Sequence, residues 1–546
     1  MNGRFVLAAV LSGLLPAGLT AGANSAKPNV VIVLADDMGF SDAHCYGGEI
    51  ATPNLDFLAR QGLRFTQFYN TARCWPTRAA LLTGYYPQAV RRDTVPGVPS
   101  GGKGVRPLWA PLLPEMLRPL GYRSYHSGKW HLDGQPTANG FDRSYYLEDC
   151  GRYFQPRVHY EDDVRLPPPP AASGYYATSA IAEHAIGYLQ EHARLRGAQP
   201  FFLYLCFTAP HFPLQALPQD IARYRYVYLR GWDQTRQARW QRMTATGLVR
   251  HALPPWERGV GPPYHFPEAL RQLGASETNR PVAWAELSET QQRFQAAKMA
   301  VHAAMIDRMD RAIGLVLDQL RSMGAWENTL ILFLSDNGAS AELMVRDDGH
   351  DPAASPGSAA THLCLGPGWS TVANTPFRRH KTWVHEGGIA TSFIAHWPSG
   401  IAARGELRHT PGHVIDLVPT ILELAGGAPA KTWAGQPVPP APGQSLVPLF
   451  RKDGTVRHAY FWWQHEGNRA LRLGDWKLVA AGENAPWELY HLRTDRGETQ
   501  NLASRQPARA AKLAAFWQRQ FEEFHRLARS DLRTNAVTRD AAPPGN

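Results

Sequence analysis

The chain has 546 residues, 44% hydrophobic and 19% charged, with 48 Gly and 44 Pro. That is too long for one small module and too apolar for a disordered chain. Lys plus Arg number 57 against 47 Asp plus Glu, a net charge of +10; the surplus suits anionic ligands, but no Lys/Arg run makes a nucleic-acid stripe, and five cysteines do not build a disulfide scaffold.

Arg4 precedes an apolar stretch over 5–19, followed by small residues with Ala21-Gly22-Ala23 as a cleavage site. That layout predicts a secretory signal peptide over residues 1–26. Gly13, Pro16 and Gly18 interrupt the stretch, which is short for a membrane span, and no later segment is continuously apolar for long enough. The mature chain is therefore expected to be periplasmic or secreted, with no membrane span. There Cys45, Cys150, Cys206 and Cys364 either form disulfides or stay buried thiols, and spacing does not pair them.

Four apolar runs share one design, a strand that ends in a polar cluster. Residues 30–34 lead to Asp36-Asp37; 122–126 lead to Gly128-Lys129-Trp130-His131. A surface polyproline segment follows at 166–170, then a helix over 179–192. Residues 201–205 lead to Pro210-His211. The stretch 217–281, rich in Arg, Trp, Tyr and Pro without clear periodicity, reads as an irregular insertion that either walls a pocket or decorates the surface. Ser288-Glu289-Thr290-Gln291 spells a capping box for a helix running towards Leu320, and 330–334 lead to Asp336-Asn337.

Apolar runs without alternation fit strands buried on both faces. Alternating with helices, they predict an α/β domain, a large doubly wound and mostly parallel sheet flanked by helices, over 27–440. After Pro398 the composition shifts. Short strand-like pieces at 459–463, 469–473, 477–479 and 487–490, then a helix over 508–524, predict a smaller C-terminal antiparallel sheet plus helix within 441–530, before a loose tail at 531–546. In doubly wound folds ligands bind beyond the carboxyl ends of the strands, the edge where all four polar clusters fall.

The segment Cys74-Trp75-Pro76-Thr77-Arg78-Ala79-Ala80-Leu81-Leu82-Thr83-Gly84 places a cysteine just before a helix, since Pro76 fits a first helical turn. Free backbone N–H groups and the dipole favour an anion there, with Arg78 nearby. Cys74 is then either a thiol nucleophile of lowered pKa or a buried loop cysteine. Asp36, Asp37, Asp336 and Asn337 offer only oxygen, a set that suits Ca²⁺ (or Mg²⁺) over Zn²⁺. Each acid pair alone is also an ordinary turn or cap.

Taken together these blocks resemble the type I sulfatases of the alkaline phosphatase superfamily. Cys74-Trp75-Pro76-Thr77-Arg78 fits the family's Cys-x-Pro-x-Arg signature, with the matching Leu82-Thr83-Gly84. Asp36-Asp37-Met38-Gly39, Gly128-Lys129-Trp130-His131, Thr208-Ala209-Pro210-His211-Phe212-Pro213, Ser335-Asp336-Asn337-Gly338, then Lys381 and Glu386-Gly387-Gly388 before Trp397-Pro398 follow in the family's order, so the resemblance spans 28–502. It implies that a dedicated formylglycine-generating enzyme oxidises Cys74 to formylglycine, whose hydrate attacks sulfur with one hydroxyl and releases sulfate through the second. It also implies that residue 74 joins the four acid and amide side chains around the metal. Arg78 would hold the diol, Lys129 and Lys381 would contact sulfate, and His131 would deprotonate the diol. His211 would protonate the departing alcohol, with or without help from Lys381. Thr77 departs from the commoner Ser or Ala, and Ala390 and Ser392 stand where the family usually has Arg and Pro.

The expected activity is therefore hydrolysis of a sulfate monoester on an aryl group or a glycan. One alternative is a phosphodiester or phosphonate monoester hydrolase on the same scaffold. Another is an inactive relative that binds sulfated glycans, set against a complete residue set. A zinc phosphatase is disfavoured because its histidine ligands are not evident beside the acids. Residues 139–170, 217–281, 342–370 and the C-terminal sheet are expected to wall the leaving-group side. Trp232, Trp240, Trp256 and Trp369 would stack on a ring or merely pack.

Overall fold

The computed structural model describes residues 1, 27–171, 173–346 and 349–531. The expected leader, apart from Met1, and the expected tail beyond Asp531 lie outside the described residues.

Eleven strands form one sheet: β1 (Asn29–Ala35), β2 (Leu63–Tyr69), β3 (Arg123–Gly128), β4 (Arg143–Leu147), β5 (His159–Glu161), β6 (Val164–Arg165), β7 (Phe201–Cys206), β8 (Thr329–Ser335), β9 (Ala390–His396), β10 (Glu406–Arg408) and β11 (Gly412–His413). Their order is β10-β2-β9-β8-β1-β7-β3-β4-β5-β6, with β11 also on β2. At its centre β8, β1, β7, β3 and β4 run parallel in adjacent positions. β9 lies antiparallel to both β8 and β2.

The unbroken apolar runs are explained by where alternate residues go. Val30, Ile32 and Leu34 pack into one core with Phe202, Leu330 and Leu332. Val31, Val33 and Ala35 pack into another with Leu203, Ile331 and Phe333. A strand inside the sheet thus buries both faces, each large side chain contributing about 1.5–3 kcal/mol. The helices Ala177–Arg196 and Glu289–Ser322 cover the second face. The Cys74–Thr83 helix covers the first, with Leu417–Leu424 and Pro507–Ala528 in the same core. The capping box forms as spelled: Gln291 N donates to Ser288 Oγ at 3.3 Å, and Ser288 N donates to Gln291 Oε1 at 3.0 Å.

A four-stranded antiparallel sheet, Phe461–His465, Asn468–Leu473, Trp476–Ala480 and Glu488–His491, precedes the C-terminal helix. The stretch 217–281 is more ordered than its composition predicts. It holds the helices Pro218–Ala222, Gly231–Ala245 and Pro267–Leu273. All five cysteines are thiols. No helix among the described residues is long and apolar enough to cross a membrane.

Candidate active site

Because β8, β1, β7 and β3 are neighbours and parallel, their carboxyl ends deliver four clusters to one place. Asp36 and Asp37 follow β1, Asp336 and Asn337 follow β8, His211 follows β7, and Lys129 and His131 follow β3. All except half-buried His131 are buried. Such a collection of buried charges persists only if its members pair with one another.

They do. Lys129 Nζ lies 2.5 Å from Asp36 Oδ2, and Lys381 Nζ lies 2.8 Å from Asp37 Oδ1. Arg78 directs Nε and Nη2 to Asp336 Oδ2 at 3.1 and 2.8 Å, and Nη1 to the Lys129 carbonyl at 2.7 Å. Asn337 Nδ2 donates to Asp37 Oδ1 at 2.6 Å, and His211 Nε2 stands 3.7 Å from Asp37 Oδ2. Burial pushes Asp36 up, but the Lys129 charge outweighs it and holds it below the usual carboxylate range. Asp336 is pushed up to about 7 by burial and by the Asp36 charge.

Cys74 is the first residue of its helix, where unpaired backbone N–H groups gather, and its side chain is almost wholly buried. Its sulfur feels the charges of Lys129, Lys381, Asp336 and Asp36, yet burial dominates and pushes the thiol pKa up. A depressed pKa, the requirement of a plain thiolate nucleophile, is therefore not met.

Backbone strain concentrates here. Asp37 (φ 65) and His131 (φ 61) are left-handed, as are Ala72 (φ 67), two residues before Cys74, and Thr382 (φ 85), next to Lys381. Each costs about 1–2 kcal/mol. Non-glycine residues held this way cluster at functional sites.

The His211 ring sets its Nδ1 2.5 Å from the Phe212 carbonyl, which can only accept, so Nδ1 carries a proton. Burial and the Lys381 charge push its pKa well below the usual histidine value, while Asp36 pulls the other way. His131 is held neutral by burial and by Lys129; its buried Nδ1 has no hydrogen-bond partner among the described residues.

Two further buried atoms lack a hydrogen-bond partner among the described residues, Asp36 Oδ1 and Asn337 Oδ1. Asp36, Asp37 and His211 each offer a ligand atom within 4.8 Å of the others. Orphaned oxygens beside paired acids are what a cation-binding set presents before the cation arrives. The set is not purely oxygen, since one histidine stands with the acids.

Sequence reasoning missed two partners. Glu342 is buried, lies 3.4 Å from Lys381 Nζ and 3.2 Å from Arg73 Nη2, and is held below the usual range, near 2, by the Lys381 and Arg73 charges against burial. Arg73 also donates to Thr382 Oγ1 and to Tyr264 OH, each at 2.8 Å, so the 217–281 stretch reaches the rim of the site. Trp232 and Trp369 pack in the core at 5.8 Å from each other. The only hint of Glu342 in the sequence is an acid six residues beyond Asp336.

The sulfatase family model matches residues 28–428. The chain is 32% identical to an arylsulfatase of Klebsiella aerogenes, over 82% of this chain and 96% of that one. It is also 32% identical to an uncharacterized sulfatase of Schizosaccharomyces pombe, over 91% and 93%. Among solved structures, Ps i-CgsB superposes with a TM-score of 0.63 at 23% identity, covering 91% of this chain and 93% of that one. BT4656 in complex with its substrate D-glucosamine-2-N,6-O-disulfate gives 0.60 at 20% identity, covering 91% and 98%; at such identities the likeness speaks to fold alone. With the family model spanning most of the chain, the protein belongs to the type I sulfatases of the alkaline phosphatase superfamily and is an enzyme that hydrolyses sulfate esters.

Proposed function

We propose that the chain cleaves sulfate monoesters through a formylglycine made from Cys74 and a divalent cation, Ca²⁺ or Mg²⁺, held by Asp36, Asp37, Asp336 and Asn337 with residue 74. The observation that carries this reading is the convergence of four adjacent strand ends on a buried cysteine at a helix N-terminus. The raised thiol pKa argues against a bare thiolate nucleophile. The family is generally metal-dependent, and the orphaned Asp36 and Asn337 oxygens fit a hard cation. Such a cation, when bound, would polarise a sulfate oxygen and acidify the hydrated residue 74.

The chain's own side chains do the rest. Arg78 fixes Asp336 and the Lys129 backbone in one rigid unit and balances the carboxylate charge. Lys129 and Lys381, now paired with Asp36 and Asp37, present two positive charges to sulfate oxygens. His131, neutral with a free Nδ1, accepts a proton from residue 74. His211 hands a proton to the departing alcohol oxygen, which requires its ring to be cationic at that moment. Residues 1–26 act as an export signal, and the maturing partner is the formylglycine-generating enzyme. The substrate is an aryl or carbohydrate sulfate; relatives named for arylsulfatase and N-acetylgalactosamine-6-sulfatase activity span both kinds.

The test compares protein made with and without the maturation system. Mass spectrometry of the peptide from Cys74 to Arg78 should find the aldehyde in the active preparation only. Calcium should raise the melting temperature of that preparation and restore turnover after chelation. Full activity of the unmodified cysteine form refutes the mechanism. Faster turnover of phosphate diesters or phosphonate monoesters than of sulfate esters would favour the alternative scaffold chemistry.

A further inference from the structure

Beside the candidate active site lies a cavity of about 660 Å³, whose lining includes Arg152, Arg157, Arg165, Arg346, His362 and Pro213. Among the described lining residues there are four arginines and no carboxylate. Arg152 pairs with Asp149 at 2.7 Å. Arg165 donates to the Arg157 carbonyl at 3.3 Å. Neither Arg165 nor Arg346 has a carboxylate partner among the described residues. Arginine without a counter-charge in a concave wall is a ready receptor for a planar or tetrahedral oxyanion.

The cavity is built into the same unit as His211. Tyr153, between Arg152 and Phe154, is fully buried and donates its hydroxyl to the carbonyls of Thr208 and His211, at 2.7 and 2.8 Å. Gln215 donates to the Thr361 carbonyl at 3.0 Å, and Leu214 N donates to Leu363 O at 2.7 Å. Those bonds bind the walls to the turn that carries the histidine. Phe212, next to His211, links the two sites. Lys381 Nζ lies 5.6 Å and the Arg346 guanidinium carbon 6.0 Å from its ring centroid. A single aromatic ring thus meets both a sulfate-site lysine and the cavity's arginine. Gly151 gives Arg346 its seat, since a Cβ there would lie 1.8 Å from Arg346 Nη1.

We infer that this cavity receives a second anionic group carried by the alcohol half of the substrate, a sulfate ester or a carboxylate on the same or the adjoining sugar. The inference rests on the proposed placement of His211 at the departing alcohol oxygen, which sends the leaving group to this side. The enzyme is then specific for polyanionic carbohydrate sulfates, and a simple aryl sulfate leaves the cavity empty. Placed charges of this kind act chiefly through binding and selectivity.

Four substrates for the matured full chain test it: nitrophenyl sulfate, a monosulfated hexose, the same hexose bearing a second sulfate, and the monosulfated hexose joined to a uronic acid. Wild-type kcat/KM should favour at least one of the last two over the monosulfate by about tenfold or more, mainly through KM. Whichever is preferred identifies the second anion. The preference ratio should fall to within about threefold of unity in Arg346→Gln, fall partly in Arg165→Gln, and shrink with added salt. A wild-type ratio near one, or a ratio that survives in both variants, overturns the inference. If Arg346→Gln does not fold, Arg165→Gln decides alone. Absence of turnover on every sulfate ester, nitrophenyl sulfate included, is a different result, because it removes the proposed function itself.

Discussion

A proton donor at the leaving oxygen matters in proportion to how poor the leaving group is, so His211 can be tested by changing the alcohol. In His211→Ala, nitrophenyl sulfate, whose phenolate leaves readily, should lose little in kcat. A sugar sulfate with an alkoxide leaving group should lose about 10²–10⁴-fold. Equal losses on both would show that the ring acts on sulfate binding through Asp37, 3.7 Å away, and not as the acid. His211 was legible in the sequence because a buried strand pointed it at the strand ends. Glu342 was not. It lies in a loop and not directly at a strand end, and its importance comes from two cations, Lys381 and Arg73, that reach it from elsewhere in the chain. A linear reading ranks an acid by its neighbours in sequence, whereas a buried acid is explained by its partners in space.

At the level of elements, the central strands β1, β7 and β8 were legible, and the helices inside 217–281 were not. β1, β7 and β8 are apolar throughout because both faces are covered, and that pattern is visible in any order. The Gly231–Ala245 helix buries Trp232, Thr235, Arg236, Arg239 and Met243, a proper helical spacing. Two of those five positions are arginines, so the apolar period disappears. Arg239 is wholly buried because it pairs with Asp42 and Glu49, each at 2.7 Å. Where an element ends is as consequential as where it runs. Gly128 closes β3 with φ +116, and a Cβ there would lie 1.9 Å from the Cys206 carbonyl oxygen, the atom that accepts from Lys129 N at 3.0 Å. Gly128→Ala should therefore push β3 off β7 and move Lys129. Melting should show a loss of about 2 kcal/mol or more, with a raised KM for nitrophenyl sulfate in whatever folds. Native melting and native KM together would mean that the strand end is looser than its geometry.

Across the whole molecule, the C-terminal sheet is tied to the catalytic sheet by a buried ionic knot. Lys477 Nζ bridges Glu386 at 3.0 Å and Glu498 at 2.8 Å, Arg496 Nε reaches Glu386 at 2.8 Å, and Tyr69 on β2 donates to Glu386 at 3.0 Å. Glu386 follows the Lys381 loop and opens the turn into β9, so the knot joins the far sheet to the rim of the site. Burial alone would raise Glu386, but Lys477 and Arg496 pull it down to about 2. Its stabilisation is complete above its ordinary value of 4.5 and disappears as pH falls towards 2. Buried histidines add an earlier loss. Burial pushes His126, His380 and His413 down from 6.5 to about 3, so the unfolded chain takes up protons that the folded chain refuses. Their contribution is complete above pH 6.5 and falls by about 1.4 kcal/mol per histidine for each pH unit below it. Unfolding midpoints in urea should therefore drop between pH 7 and pH 5, before any carboxylate in the knot is protonated, and drop again below about 4.5. Replacing His126 and His413 by apolar residues of similar size should make the first fall shallower and spare the second. A change from pH 7 to pH 5 that is the same in the wild type and in the double replacement would mean that these rings take up protons in the folded state, and so are not sealed from water as the two-faced packing requires.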